Sequence, residues 1–124
     1  MKNSLKTMKI INFTGYCSPL KKYFRKGLMP TVQRGLYGDI LTKENLSIEH
    51  LIPRSYGGLT ETSNLALASK RMNNLRGNQP LQDFLIPKKA IDYLLQFKDI
   101  NLPEFNGNDY ITYLLDLFHR LKIV

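Results

Sequence analysis

Hydrophobic positions along the chain keep two different periods. Between Leu46 and Leu51 the period is two, with Leu46, Ile48 and His50 on one face and Ser47 and Glu49 on the other, the alternation of a strand. Leu65-Ala66-Leu67 is long enough for a short second strand. Pro53 cannot continue a central ladder and Gly57-Gly58 admits positive φ, so Pro53 to Ser63 is expected as a loop between the two. Ser69 can cap a helix over Lys70 to Leu75, which Gly77 can end in the left-handed conformation. Strand, loop, strand and helix then form a compact ββα unit over residues 46–77.

After residue 80 the period is helical. Pro87 opens a helix carrying Ala90, Ile91, Leu94 and Leu95, and Asn108 can cap another carrying Ile111, Leu114, Leu115, Phe118 and Leu121. Ile-x-Tyr-Leu-Leu occurs at 91–95 and again at 111–115, but a solenoid needs at least three repeats. Near the start, Ser18-Pro19 supplies an N-cap and a first-turn proline for a short helix from Leu20 to Lys26, stopped by Gly27. Gly35 to Leu41 is compatible with strand or helix, and Thr42 to Asn45 reads as a turn. Residues 1–14 lack periodicity and are expected to form a basic arm, mobile or strand-like. The sum is a small α+β fold, one domain over residues 15–124.

Composition agrees with one globular domain: 124 residues, 43% hydrophobic and 23% charged. The single cysteine, Cys17, excludes an intramolecular disulfide and a Cys-x-x-Cys zinc knuckle, and is expected as a small buried apolar residue. MKNSLKTMKIINF lacks the apolar run of a signal peptide, and no segment reaches the ~20 apolar residues that span a membrane. A soluble intracellular protein, cytoplasmic or DNA-associated, is the expectation.

The charge changes the picture more. Of a net +8, residues 1–40 contribute +7, residues 41–80 contribute +2 and the remainder −1. Charge so distributed points to a polyanion, most simply a nucleic-acid backbone. Lys21, Lys22, Arg25 and Lys26, interleaved with Tyr23 and Phe24, and Lys70 and Arg71 further on, are candidate phosphate contacts; the same cations can also form a solvated face.

The ββα stretch holds the candidate chemistry. Phosphodiester hydrolysis needs a base for the attacking water, a cation facing the phosphate oxygens, and groups that fix their geometry. His50 titrates in the right range for a base, with an ordinary pKa of about 6.5. Glu49 offers a hard anionic oxygen and the amide of Asn73 a neutral one, with Asn74 as the neighbouring alternative. Two oxygen ligands suit Mg²⁺ or Mn²⁺. Arg54 and Arg76 are the cations best placed to stabilise transition-state charge. Strand alternation poses a problem, because adjacent Glu49 and His50 should point apart.

Glu49-His50-Leu-Ile-Pro53-Arg-Ser55-x-Gly57-Gly58, followed by Asn64-Leu-x-Leu67 and Asn73-x-x-Arg76-Gly77, resembles the HNH endonucleases of the ββα-metal class. The resemblance covers about thirty residues of the 124. It implies a ββα-metal core in which His50 activates water, Asn64 braces the loop that presents it, and Glu49 and Asn73 hold a single divalent cation. Asn73 stands where the family often has histidine, as in its HNN subset, which favours Mg²⁺ or Mn²⁺ over Zn²⁺ or Ni²⁺. Glu49 stands where aspartate or histidine is commoner, and the run also resembles the endonuclease I-like branch. Helices after residue 80 are expected to replace the zinc site that many members use. The implied activity is metal-dependent cleavage of nucleic acid, double-stranded DNA first, by a monomer or homodimer. The alternative is a non-catalytic nucleic-acid-binding protein on the same scaffold.

Overall fold

The structure, a computed structural model, describes residues 18–124; the expected basic arm at 1–14, and Cys17, lie outside them. Its centre is a two-stranded antiparallel ribbon of β1 (Leu46–His50) and β2 (Leu65–Ser69), in register Leu46↔Ser69, Ile48↔Leu67 and His50↔Leu65. Every residue of β2 is buried. A buried strand with a partner on one side only would strand its outer amides and carbonyls. Here that edge is satisfied group by group. Tyr110 donates its hydroxyl to the Leu65 carbonyl at 2.7 Å, and the Leu67 amide donates to the Tyr93 hydroxyl at 2.9 Å. The Leu67 carbonyl accepts from the Leu36 amide at 2.9 Å, and the Ser69 amide donates to the Asp39 carboxylate. Two tyrosines and a turn stand in for a third strand.

Helix α1 (Pro19–Arg25) begins where the sequence places it, with Ser18 Oγ accepting from the Leu20 amide at 3.2 Å. Helix α2 (Lys70–Arg76) follows β2 directly, its first turn capped by Ser69 Oγ accepting from the Met72 amide at 3.2 Å. Gly77 ends it with φ 55, a positive value but without the helical ψ of a left-handed cap, as its ψ is −126. The ambiguous segment 35–41 is neither strand nor helix. It is a turn closed by Gly35 N to Asp39 O at 2.7 Å, with one bridge between Arg34 and Ile40.

A short helix α3 (Leu81–Phe84) precedes α4 (Pro87–Leu95), and a small hairpin of β3 (Asn101–Leu102) and β4 (Phe105–Asn106) leads into α5 (Gly107–Arg120). Asn106 caps α5, accepting from the Asp109 amide at 2.9 Å. Asn108, the expected cap, instead accepts from the Asp99 amide at 3.0 Å. The buried stripes also differ from expectation. Tyr93 joins Ala90 and Leu94 inside, while Ile91 and Leu95 are exposed. On α5, Tyr110, Leu114, Leu117 and Phe118 are buried. The repeated pentapeptide therefore has no structural meaning: Tyr93 is 1% exposed and its counterpart Tyr113 is 44%. The mixed helix-and-strand composition is the α+β class expected, and no helix among the described residues is long and apolar enough to cross a membrane.

Candidate active site

A cleft of about 250 Å³ lies where the end of β1, the 3-10 turn Arg54–Tyr56 and the end of α2 meet. Glu49, His50, Arg54 and Asn73 all line it, together with Ser55 and Asn78, which sequence reasoning missed. The two side chains have separate partners, Tyr37 and Arg76 for Glu49 and Thr60 for His50. Glu49 and His50 sit at the last two places of β1, next to the turn into Leu51, and both border the cleft. Asn74 does not line it and is exposed, so Asn73 is the amide at the cleft.

His50 is half-buried, with Nε2 2.9 Å from Thr60 Oγ1. Burial holds its pKa below the ordinary value and the charge of Arg54 lowers it further, both favouring the neutral imidazole. Thr60, on the far side of the loop, left no signal in the sequence; only the loop's path brings it to the ring.

That path is fixed by Asn64. Its Oδ1 accepts from the Ile52 amide at 2.9 Å, and its Nδ2 donates to the carbonyls of Ile52 at 3.1 Å and Leu59 at 2.9 Å. The Leu51 amide donates to the Asn64 carbonyl at 2.9 Å. One buried side chain thus ties both ends of the loop together. Gly58 is required in the same place, because a Cβ there would stand 1.7 Å from the Ile52 oxygen.

Glu49 is buried, and its Oε2 has two partners. The Tyr37 hydroxyl donates to it, and Arg76 Nη1 lies 3.3 Å away. Burial, the largest effect, holds the carboxyl pKa above its ordinary value, and the Tyr37 hydrogen bond and the Arg76 charge offset it only in part. The Tyr37 hydroxyl stays protonated, its own pKa pushed up by burial and by the Glu49 charge. Asn73 donates Nδ2 to Ser47 Oγ at 2.9 Å and to the Ile48 carbonyl at 3.1 Å. Both donors of the amide are therefore spent on β1, and Oδ1 remains as the acceptor of a side chain that lines the cleft.

Arg76 is not where a substrate phosphate could reach it. Its side chain is buried, with Nε on the Gln79 carbonyl at 2.9 Å, Nη1 on the His50 carbonyl at 2.9 Å and Nη2 on the Leu51 carbonyl at 2.8 Å. A guanidinium with its donors so engaged is a clasp between α2 and β1, not a free cation. Arg54 is exposed at the rim. Lys70 and Arg71 are exposed at the start of α2, away from the helix end that borders the cleft. Of the α1 cations, Arg25 and Lys26 are exposed, Lys21 is half-buried, and the Lys22 ammonium pairs with Glu104.

Among the described residues no three His, Cys, Asp or Glu side chains converge as a metal-ligand set. The cleft instead offers one carboxylate, Glu49, and one amide oxygen, Asn73. With Oε2 of Glu49 on Tyr37 and Arg76 and Asn73 Nδ2 on β1, the oxygens that these two cleft-lining side chains have left are Oε1 and Oδ1, an all-oxygen donor set. That set fits a hard divalent cation that keeps most of its waters, and not Zn²⁺, which favours nitrogen and sulfur. No protein-family model matches the chain, and no curated protein matches it.

Proposed function

We propose that the chain is an HNH-type endonuclease of the ββα-metal class, hydrolysing DNA phosphodiesters with His50 as general base. The observation that carries this reading is the convergence of His50, Glu49, Asn73 and Arg54 on one cleft, with the loop between them braced by Asn64. Glu49 and Asn73 would hold a Mg²⁺ or Mn²⁺ ion, which supplies charge neutralisation at the phosphate and the leaving oxygen when bound.

The chain's own residues do the rest. Neutral His50 takes a proton from a water as its oxygen bonds to phosphorus; the bond to the 3′-oxygen breaks, and that oxygen takes a proton from solvent. Thr60 holds the imidazole at Nε2, which leaves Nδ1 to meet the water. Arg54 binds a nonbridging oxygen from the rim. The cations of α1 and of the start of α2 contribute phosphate contacts away from the scissile bond, and the partner is double-stranded DNA. With one base in each chain, a monomer nicks, and a homodimer or a second encounter is needed to cut both strands.

The test is incubation of supercoiled plasmid with Mg²⁺, Mn²⁺ or EDTA, with His50→Ala as control. Nicking that needs the divalent ion and is lost in His50→Ala is the expected result. Cleavage that persists in EDTA or in the variant overturns the mechanism. Salt-sensitive DNA binding without any cleavage would assign the scaffold to binding alone.

A further inference from the structure

We infer that Tyr37 is a positioning residue of the cation site, holding the Glu49 carboxylate so that one oxygen faces the cleft. The inference rests on the reading above, since it takes Glu49 and Asn73 as the pair that would hold the cation.

A glutamate reaching a cleft from the end of a strand has three side-chain torsions, and ordering them on binding costs conformational entropy. In this structure the arm is already set. Oε2 is shared between the Tyr37 hydroxyl, brought by the 35–39 turn, and Arg76, brought by α2 from the other side in the chain. With one oxygen fixed from two elements, the carboxylate is restrained before a cation arrives.

The two donors are not equivalent. Arg76 alone would draw the carboxylate into a closed ion pair and compete with a dication for it. A phenol orients the same oxygen without adding positive charge beside the site. Metal ligands are commonly held in this way by an outer hydrogen bond, whose loss weakens the metal by about tenfold or more.

Tyr37 is itself firmly placed. Its ring stands edge-on to Phe84, centroids 4.9 Å apart at 82°. Its neighbour Leu36 donates its amide to the Leu67 carbonyl at 2.9 Å, and Arg34 Nη1 donates to the Gly38 carbonyl at 2.8 Å. The turn is thereby fastened to β2, the strand paired with the one that carries Glu49.

Tyr37→Phe keeps the ring and its Phe84 contact and deletes only the hydroxyl. Mn²⁺ binding to the whole chain, without DNA, is followed by the electron paramagnetic resonance of the free ion, well below each variant's unfolding midpoint so that affinity reports the site rather than stability. Tyr37→Phe is expected to bind Mn²⁺ about tenfold more weakly than wild type, with plasmid nicking recovered at saturating Mn²⁺. Glu49→Gln is expected to lose the site. If Glu49→Gln loses Mn²⁺ while Tyr37→Phe binds as wild type does, the role of Tyr37 is overturned and the cation site stands. If Glu49→Gln binds as wild type does, the carboxylate is no ligand, and the cation site falls together with the inference.

Discussion

The guanidinium of Arg76 lies 3.3 Å from the Glu49 carboxylate, with the two side chains 0% and 5% exposed. This ion pair lies at the junction between α2 and β1, with Glu49 at the edge of the cleft. Removing one member of such a pair leaves the other charge buried without its counter-ion, at a cost of about 3–5 kcal/mol. Against a total stability of roughly 5–15 kcal/mol for a domain, that is a large share. Arg76→Met should therefore unfold at markedly lower urea concentration than wild type. The double variant Arg76→Met/Glu49→Leu should regain only part of the loss, because it removes the unpaired carboxylate but leaves the carbonyls of His50, Leu51 and Gln79 and the Tyr37 hydroxyl without their partners. A single variant as stable as wild type would show that the pair does not bear on stability.

His50 should titrate, in the metal-free protein, below the ordinary value of about 6.5. The larger cause is burial and the smaller is the Arg54 charge, so Arg54→Ala should move the titration upward without restoring the ordinary value. Proton NMR of the imidazole resonances measures this directly. The chain has two histidines, and His50→Gln identifies which signal is which. A titration at or above the ordinary value in wild type would contradict the environment described.

Asn64→Ala should open the loop between the strands. It deprives the Ile52 amide and the Ile52 and Leu59 carbonyls of their partner, and a buried group left unsatisfied costs about 1–3 kcal/mol. Hydrogen exchange at the Ile52 amide should accelerate in step with the fall in stability. Asn64→Asp should not rescue it, because a second carboxylate oxygen would face two carbonyls. Unchanged exchange at Ile52 in Asn64→Ala would mean that the loop holds itself.

Local chemistry made much of the fold legible. Ser18-Pro19, Ser69 and Pro87 mark helix starts that need only their immediate neighbours, and β1 and β2 follow from alternation and the proline-glycine loop. The cap of α5 lies two residues before the expected one, because Asn106 and Asn108 are equally good local candidates. The choice depends on a hairpin whose strands are two residues each, too short to show a period. Arg76 is expected from the sequence as a cation facing transition-state charge, because nothing in its own helix reveals that carbonyls at positions 50, 51 and 79 converge on it. Tyr37 was invisible for the same reason. It lies twelve residues before Glu49, in the segment compatible with strand or helix, and meets it only through the folded turn.

The Arg76 clasp has one more property. Apart from Glu49 and the Tyr37 hydroxyl beside it, every partner it grips is a main-chain oxygen, which every amino acid carries. The identities of residues 50, 51 and 79 can therefore change while the grip on them persists. The chemistry displayed at the end of β1 is separable from the framework that displays it: the imidazole can be exchanged for another group, or erased, on a frame that stays the same.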